Sequence, residues 1–215
     1  MTATLRIVTL AGATLLGASL LGAQPRPVGS SRTANAVVRP ASRLTSWAID
    51  PTHSELEFRI RHLLGRVSGT FTKWSGTVAI DTANWAGSSV AVDIATASID
   101  TREPRRDGHL RSADFFAADS FPTITFRSTK VERAGKDLRV AGDLTIRGRT
   151  KPVVLVGRYV GSGKDANGQQ RVAFSASTTI DRQDYGVSLN RAVETGAMLG
   201  DDVTIDITVQ AVQKP

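Results

Sequence analysis

Three histidines, His53, His62 and His109, are the side chains of this 215-residue chain best suited by type to proton transfer or metal ligation. No pair stands at the short spacing of a zinc motif such as HExxH, so a metal site is not expected. His53 lies in Asp50-Pro51-Thr52-His53-Ser54, where Asp-Pro starts a turn and Ser54 can cap it. It reads as a turn histidine, with a polar place at the mouth of a cavity as the functional alternative. The chain has no cysteine. That excludes thiolate nucleophiles, thiolate zinc, iron–sulfur clusters, disulfides and a lipidated N-terminal cysteine. A G-x-S-x-G elbow for a serine nucleophile is missing too. Asp201 and Asp202 are adjacent, and strand neighbours point to opposite faces, so they are not placed to share a proton. They read as the start of the last strand. Gly161-Ser162-Gly163-Lys164 lacks the spacing and following helix of a phosphate loop and reads as a hairpin turn. No hydride-cofactor fingerprint is present. Enzymatic chemistry is not expected.

Charge carries a second false lead. The net charge is +7 and the pI near 10.4, values that suggest nucleic acid. Five of the 27 basic residues (Arg6, Arg26, Arg32, Arg39, Arg43) fall in the first 45 positions, which hold no acid. Removing them leaves 22 basic against 20 acidic residues, a net of +2. Two clusters remain, Arg102, Arg105, Arg106 and Arg111, then Arg147, Arg149 and Lys151. Both have acids close by and neither interleaves with aromatics, so solvated surface is the default. A hold on an anionic headgroup is the alternative for the first. No nucleic-acid partner is expected.

The elements that position these residues begin late. All aromatic residues lie at or after Trp47. Residues 1–23 place Arg6 before an apolar stretch from Ile7 to Leu21, the pattern of a secretory signal and short for a membrane span. Cleavage fits after Ala23 or after Ala36. Residues 24–45 are rich in Pro and Arg without periodicity and read as a disordered spacer. Residues 46–215 form the folded domain. A composition 40% hydrophobic and 22% charged lets it bury a sizeable core.

From Trp47 onward apolar residues alternate with polar ones, the period of strands with one buried face. Leu56, Phe58 and Ile60 alternate with Glu55, Glu57, Arg59 and Arg61; Val90, Val92 and Ile94 follow the same rule. So do Ile124 and Phe126; Leu138, Val140, Leu144 and Ile146; Val172, Phe174, Ala176 and Ile180; and Val203, Ile205, Ile207 and Val209. Residues 152–160 are more continuously apolar and suggest hydrophobic surroundings on both faces. Turn signals fall at Gly65, Gly76, Gly87-Ser88, Ala134-Gly135-Lys136, Arg147-Gly148-Arg149 and 161–164. About eight to ten strands result. Residues 104–116 break the pattern with a proline-led helical insert ending in Phe115 and Phe116. The expected class is all-β, an antiparallel barrel closed to remove its edges. A β-sandwich is the rival, and periodicity does not separate the two.

Trp47-Ala-Ile-Asp-Pro-Thr-His-Ser54 resembles the opening motif of the YceI-like family, also described as polyisoprenoid-binding or lipid-binding proteins. The resemblance continues through Gly69-Thr-Phe71, Ser98-Ile-Asp-Thr101, Arg106-Asp-Gly-His-Leu-Arg-Ser-Ala-Asp-Phe-Phe116 and the run from Phe121 to Thr129. It closes with Leu144-Thr-Ile-Arg-Gly148, Lys151-Pro152, Asp181-Arg-Gln-Asp-Tyr-Gly186 and Gly200-Asp-Asp-Val203. The motifs keep family order across the whole packed domain. The resemblance implies an eight-stranded antiparallel barrel of lipocalin-like shape, exported to the periplasm or secreted, with an apolar tunnel. It implies a bound polyisoprenoid, isoprenoid quinone or fatty-chain lipid and no other cofactor. Partners in that picture are the lipid, a transient contact with a membrane or a membrane cytochrome b, and a second copy in a homodimer.

By strand parity, Phe58, Ile60, Val92, Phe126, Val140 and Phe174 face the lumen. His53, Phe115, Phe116 and Tyr185 are expected near an opening. The leading expectation is a non-enzymatic carrier or sequestering protein. A stress-response surface protein with a filled core, and a lipid-acting barrel isomerase or hydrolase, are the alternatives.

Overall fold

The alternating runs pair into one continuous antiparallel sheet. The computed structural model describes residues 44–81, 83–188 and 199–214. The leader at 1–23 and most of the spacer therefore lie outside the described residues. Its strands are β1 (Leu44–Ile49), β2 (Glu55–His62), β3 (Gly65–Phe71), β4 (Trp74–Asp81), β5 (Ser89–Ala95), β6 (Ile99–Asp100), β7 (Thr123–Ala134), β8 (Asp137–Ile146), β9 (Arg149–Lys164), β10 (Gln170–Asp181) and β11 (Leu199–Gln213). One helix, α1 (Pro104–Arg111), follows β6. β1 starts at Leu44, inside the segment read as spacer, and pairs Leu44 with Asp81.

Eleven segments make eight staves. β1 and β2 both pair with β11, while their partners across the other edge are β4 and β3. They are one long strand broken by the 3-10 turn Pro51–His53. β3 and β4 are likewise one strand bent at Thr72-Lys73, and β5 and β6 are one strand broken by the turn Thr96–Ser98. Each stave pairs with the next in sequence, and β11 returns to the first. The sheet closes, which decides for the barrel over the sandwich and gives each described stave a partner on both sides.

An up-and-down path puts alternate connections at opposite ends. α1, the β2–β3 turn, the β8–β9 turn and residues 182–188 after β10 gather at one end. The β4–β5, β7–β8 and β9–β10 connections gather at the other. α1 starts because the Glu103 carboxylate accepts from the backbone N–H groups of Arg105 and Arg106, with Pro104 in the first turn. It stops at Arg111, earlier than the insert expected at 104–116; Ser112 to Phe116 continue as turns. The buried Asp107 clips α1 to the end of β6 by accepting from Thr101 N–H at 2.9 Å and Thr101 Oγ1 at 2.5 Å.

Three turn expectations need correction. Gly76 lies inside β4, where a Cβ would stand 2.8 Å from Ile49 Cδ1, so its role is close packing. Gly65 opens β3, and Leu63-Leu64 make the turn before it. Residues 161–164 are the end of β9; the hairpin turn follows at 165–169. There the Asp165 carboxylate accepts from the N–H groups of Asn167 and Gln169, and Gly168 supplies a φ of +78°. The apolar run of β9 alternates after all. Val153 and Leu155 face inward, while Val154, Val156 and Val160 are 38%, 51% and 61% exposed on the outer wall.

Candidate functional site

Inward parity on eight closed staves produces a lumen. Its volume is about 670 Å³, within the roughly 300–1,000 Å³ of small-molecule pockets. Between its ends it is lined mainly by aliphatic and aromatic side chains, among them Ile94, Phe126, Leu144, Leu155 and Ile205, with Ser175 and Thr178 of β10 as polar exceptions. The titratable lining residues, His62, Arg105, Arg106, His109, Arg182 and Tyr185, stand at the end that carries α1.

Nine of the ten residues singled out from sequence line this lumen. Phe58 and Ile60 come from β2, Val92 from β5, Phe126 from β7, Val140 from β8 and Phe174 from β10. Phe115, Phe116 and Tyr185 line it at the α1 end. Rings run inward from that end: Phe116 meets Phe71 edge-on at 6.1 Å, and Phe71 lies 5.9 Å from Phe58. Phe115 packs edge-on to the His109 ring at 4.9 Å. Tyr185 is 1% exposed, and burial, helped by the Asp184 charge, pushes its hydroxyl up to about 12. It stays neutral in any physiological medium.

His53 is the exception. It is exposed, absent from the lumen wall, and its Nδ1 lies 2.8 Å from Asp50 Oδ2. The Asp-Pro turn that interrupts the first stave carries it outward, and its neighbours hold it there. Asp50 also pairs with Arg171 at 2.7 Å, and Arg171 with Asp165 at 2.8 Å. This is a surface latch across three segments, and not a cavity mouth.

The loop segments at the α1 end are tied by buried or half-buried arginines. Arg182 donates to the carbonyls of Gly200 and Val187, both at 2.9 Å, and to Asp201 Oδ1 at 3.1 Å. Arg147 donates to the Gly186 and Ala113 carbonyls. The opposite end is crossed by a stack that parity counting missed. The Arg133 guanidinium lies 4.4 Å from the Trp85 ring centre and 5.3 Å from that of Tyr159, which in turn meets Phe174 at 5.7 Å. A bulge between Ser128 and Lys130 reverses parity within β7, turning Val131 and Arg133 to the inner face. Among the described residues no three His, Cys, Asp or Glu side chains gather as a metal would need.

Comparisons with known proteins agree with this geometry. Residues 47–211 match the family described as the YceI-like domain. The chain is 39% identical over 163 residues to protein YceI of Escherichia coli O17:K52:H18, covering 75% of this chain and 83% of that protein. The crystal structure of a Campylobacter jejuni YCEI protein is similar with a TM-score of 0.64 at 32% identity, covering 72% of this chain and 90% of that one. A polyisoprenoid-binding domain from Saccharophagus degradans shares the fold, with a TM-score of 0.59 at 18% identity over 80% of this chain and all of that one.

Proposed function

The chain belongs to the YceI-like family, and on that footing we propose that it is a non-enzymatic carrier of a long-chain lipid. The lipid is a polyisoprenoid, such as an isoprenoid quinone, enclosed in the lumen. The observation that carries this reading is a continuous, mainly apolar lumen whose titratable lining is confined to the α1 end. The fold shared with a domain described as polyisoprenoid-binding supports the ligand class.

Burial is sufficient as a binding force. Each buried CH₂ contributes about 0.8 kcal/mol, so one five-carbon isoprene unit contributes roughly 3–4 kcal/mol before association costs. A bilayer is equally apolar, so transfer between membrane and lumen runs near balance, as a carrier requires. Selectivity then rests on tunnel length and shape. A lipid-acting isomerase or hydrolase needs an acid or base against the enclosed chain, and the titratable lining residues stand at the α1 end, away from the middle of the lumen. A filled-core protein needs large side chains at every inward position, whereas Gly157, Ala176 and Thr178 line this lumen. We also propose export, motivated by the leader-like residues 1–23.

The test is organic extraction of the purified protein followed by identification of the extracted lipid. A prenyl-chain lipid in near-stoichiometric amount is expected. No co-purifying lipid together with no uptake of a prenyl quinone overturns the reading.

A further inference from the structure

The β2–β3 turn is made of the two residues least suited to a turn in water. Leu63 and Leu64 connect the paired residues His62 and Gly65. Leu63 is 49% exposed and Leu64 fully exposed, and Leu63 holds a φ of +52°. Two-residue hairpin turns with a left-handed first position favour glycine or asparagine. Leucines there are disfavoured both by the backbone and by solvent. An exposed apolar tip held against both preferences marks a contact surface.

Its flanks specify the partner. From Phe58 to Ile80 the chain contains Arg59, Arg61, Arg66 and Lys73 and no acid. Arg59 pairs with Asp206 on β11. Arg61 and Arg66 stand directly opposite one another across the hairpin, both exposed, bracketing the leucines. Arg61 also donates to the Leu63 carbonyl at 3.4 Å, and a guanidinium carries several N–H donors, so an anionic phosphate between the two arginines can accept from both. On the adjoining β11, Asp201 is held by Arg182 and Gln183, while Asp202 is exposed and opposes the field of the tip. Two leucines between arginines fit the boundary between phosphate headgroups and acyl chains.

The tip also lies on the lumen rim. Ile60, His62 and Val67, which flank it, line the lumen, as do the exposed Arg105 and His109 of α1. β6 runs antiparallel to β3, so the chain leaving Asp100 heads for the end at which Gly65 opens β3. We propose that the β2–β3 hairpin docks the barrel on anionic bilayers. Leu63 and Leu64 enter the acyl-chain boundary, Arg61 and Arg66 bind lipid phosphates, and the lumen rim is held against the membrane. A hydrocarbon chain moving between lumen and bilayer then crosses little water. The purpose of the contact rests on the carrier reading; the contact itself does not.

The absence of cysteine makes a local test direct. Leu64→Cys in the full chain accepts one environment-sensitive fluorophore, and Val156→Cys on the outer wall of β9 serves as the reference site. The probes are vesicles of phosphatidylcholine, with and without a quarter phosphatidylglycerol. The expected result is a blue shift and several-fold rise in emission at position 64 with anionic vesicles. It weakens with salt, is small with neutral vesicles and is lost when Arg61→Glu and Arg66→Glu are added. No change at position 64 overturns the proposal, as does an undiminished change in the charge-reversed protein. A change at position 156 alone moves the contact to β9. A change at position 64 that grows with protein concentration without vesicles makes the occupant a second copy, and either outcome overturns the proposal. Lipid extraction from the same variants separates the two claims. A failed tip leaves lumen lipid in place, and a failed carrier reading leaves the vesicle response in place.

Discussion

The ring of Phe126 lies over Gly142 on the neighbouring strand, so close that a Cβ on the glycine would stand 2.5 Å from Phe126 Cζ. Phe58 uses Gly69, its direct cross-strand partner, in the same way, again at 2.5 Å. Both rings line the lumen. Resting on a glycine lets each lie along the wall, where a larger neighbour would lift it into the bore. Glycine inside a strand normally weakens it. Here two of them keep the barrel hollow.

Gly142→Ala is therefore expected to cost stability and capacity together. Its new Cβ meets Phe126 and also stands 2.6 Å from the Arg127 carbonyl, so backbone as well as ring must shift. A loss of about 1–3 kcal/mol in denaturant unfolding is expected, with less lipid retained. Unchanged stability would show that the wall adjusts freely around Phe126.

Filling the lumen should separate binding from folding. Ala176 lines the cavity, so Ala176→Phe adds a ring where there is space. Stability is expected to stay within about 1 kcal/mol of the parent while lipid binding is lost. Val92→Asp places a carboxyl against apolar lining and is expected to lose binding and roughly 2–3 kcal/mol of stability. Urea midpoints and a prenyl-quinone titration of each variant check both statements.

Arg182 is 6% exposed and spreads its guanidinium over two carbonyls and Asp201. Arg182→Ala leaves buried acceptors without donors, and a loss of about 2–3 kcal/mol is expected in chemical unfolding. Arg182→Lys should recover part of it, since one ammonium cannot reach all three acceptors at the guanidinium's spread. A loss confined to binding, with stability intact, would contradict this role.

The surface latch predicts an acid-side pH dependence. Arg171, with His53 contributing, holds the Asp50 carboxyl well below its ordinary value of 3.8, and Arg171 lowers Asp165 as well. A carboxyl depressed in the folded state stabilises above its ordinary value, and that stability is lost as pH falls below it. As pH falls below about 5, and most steeply below the ordinary value of 3.8, the Tm of the parent should fall more than that of Asp50→Asn, the two converging only in strong acid. Parallel curves would mean that the latch carries no linkage to folding.

The staves and their lumen faces were legible because period two is dictated by the sheet itself: Phe58, Ile60, Val92, Val140 and Phe174 point inward as parity requires. The features that escaped are those where the chain departs from even pleating. The bulge after Ser128 turns Arg133 inward, where it stacks on Trp85 and Tyr159, and no local residue pattern announces it. His53 shares a motif with lumen-facing neighbours, yet the break at Asp50-Pro51 swings it out. The glycines of 161–163 carry the usual turn signal, but the Asp165-to-Gly168 segment offers an Asx turn and a positive φ, and the chain reverses there instead. Arg182 is a surface type by composition, buried because three acceptors converge on it.

Native mass spectrometry of the purified protein asks without intermediaries whether the lumen holds a lipid chain. A folded species heavier than the polypeptide by the mass of one prenyl-chain lipid is expected, released on unfolding and missing from Ala176→Phe. A parent protein that flies at the bare polypeptide mass, and stays there after incubation with prenyl quinone, would contradict it.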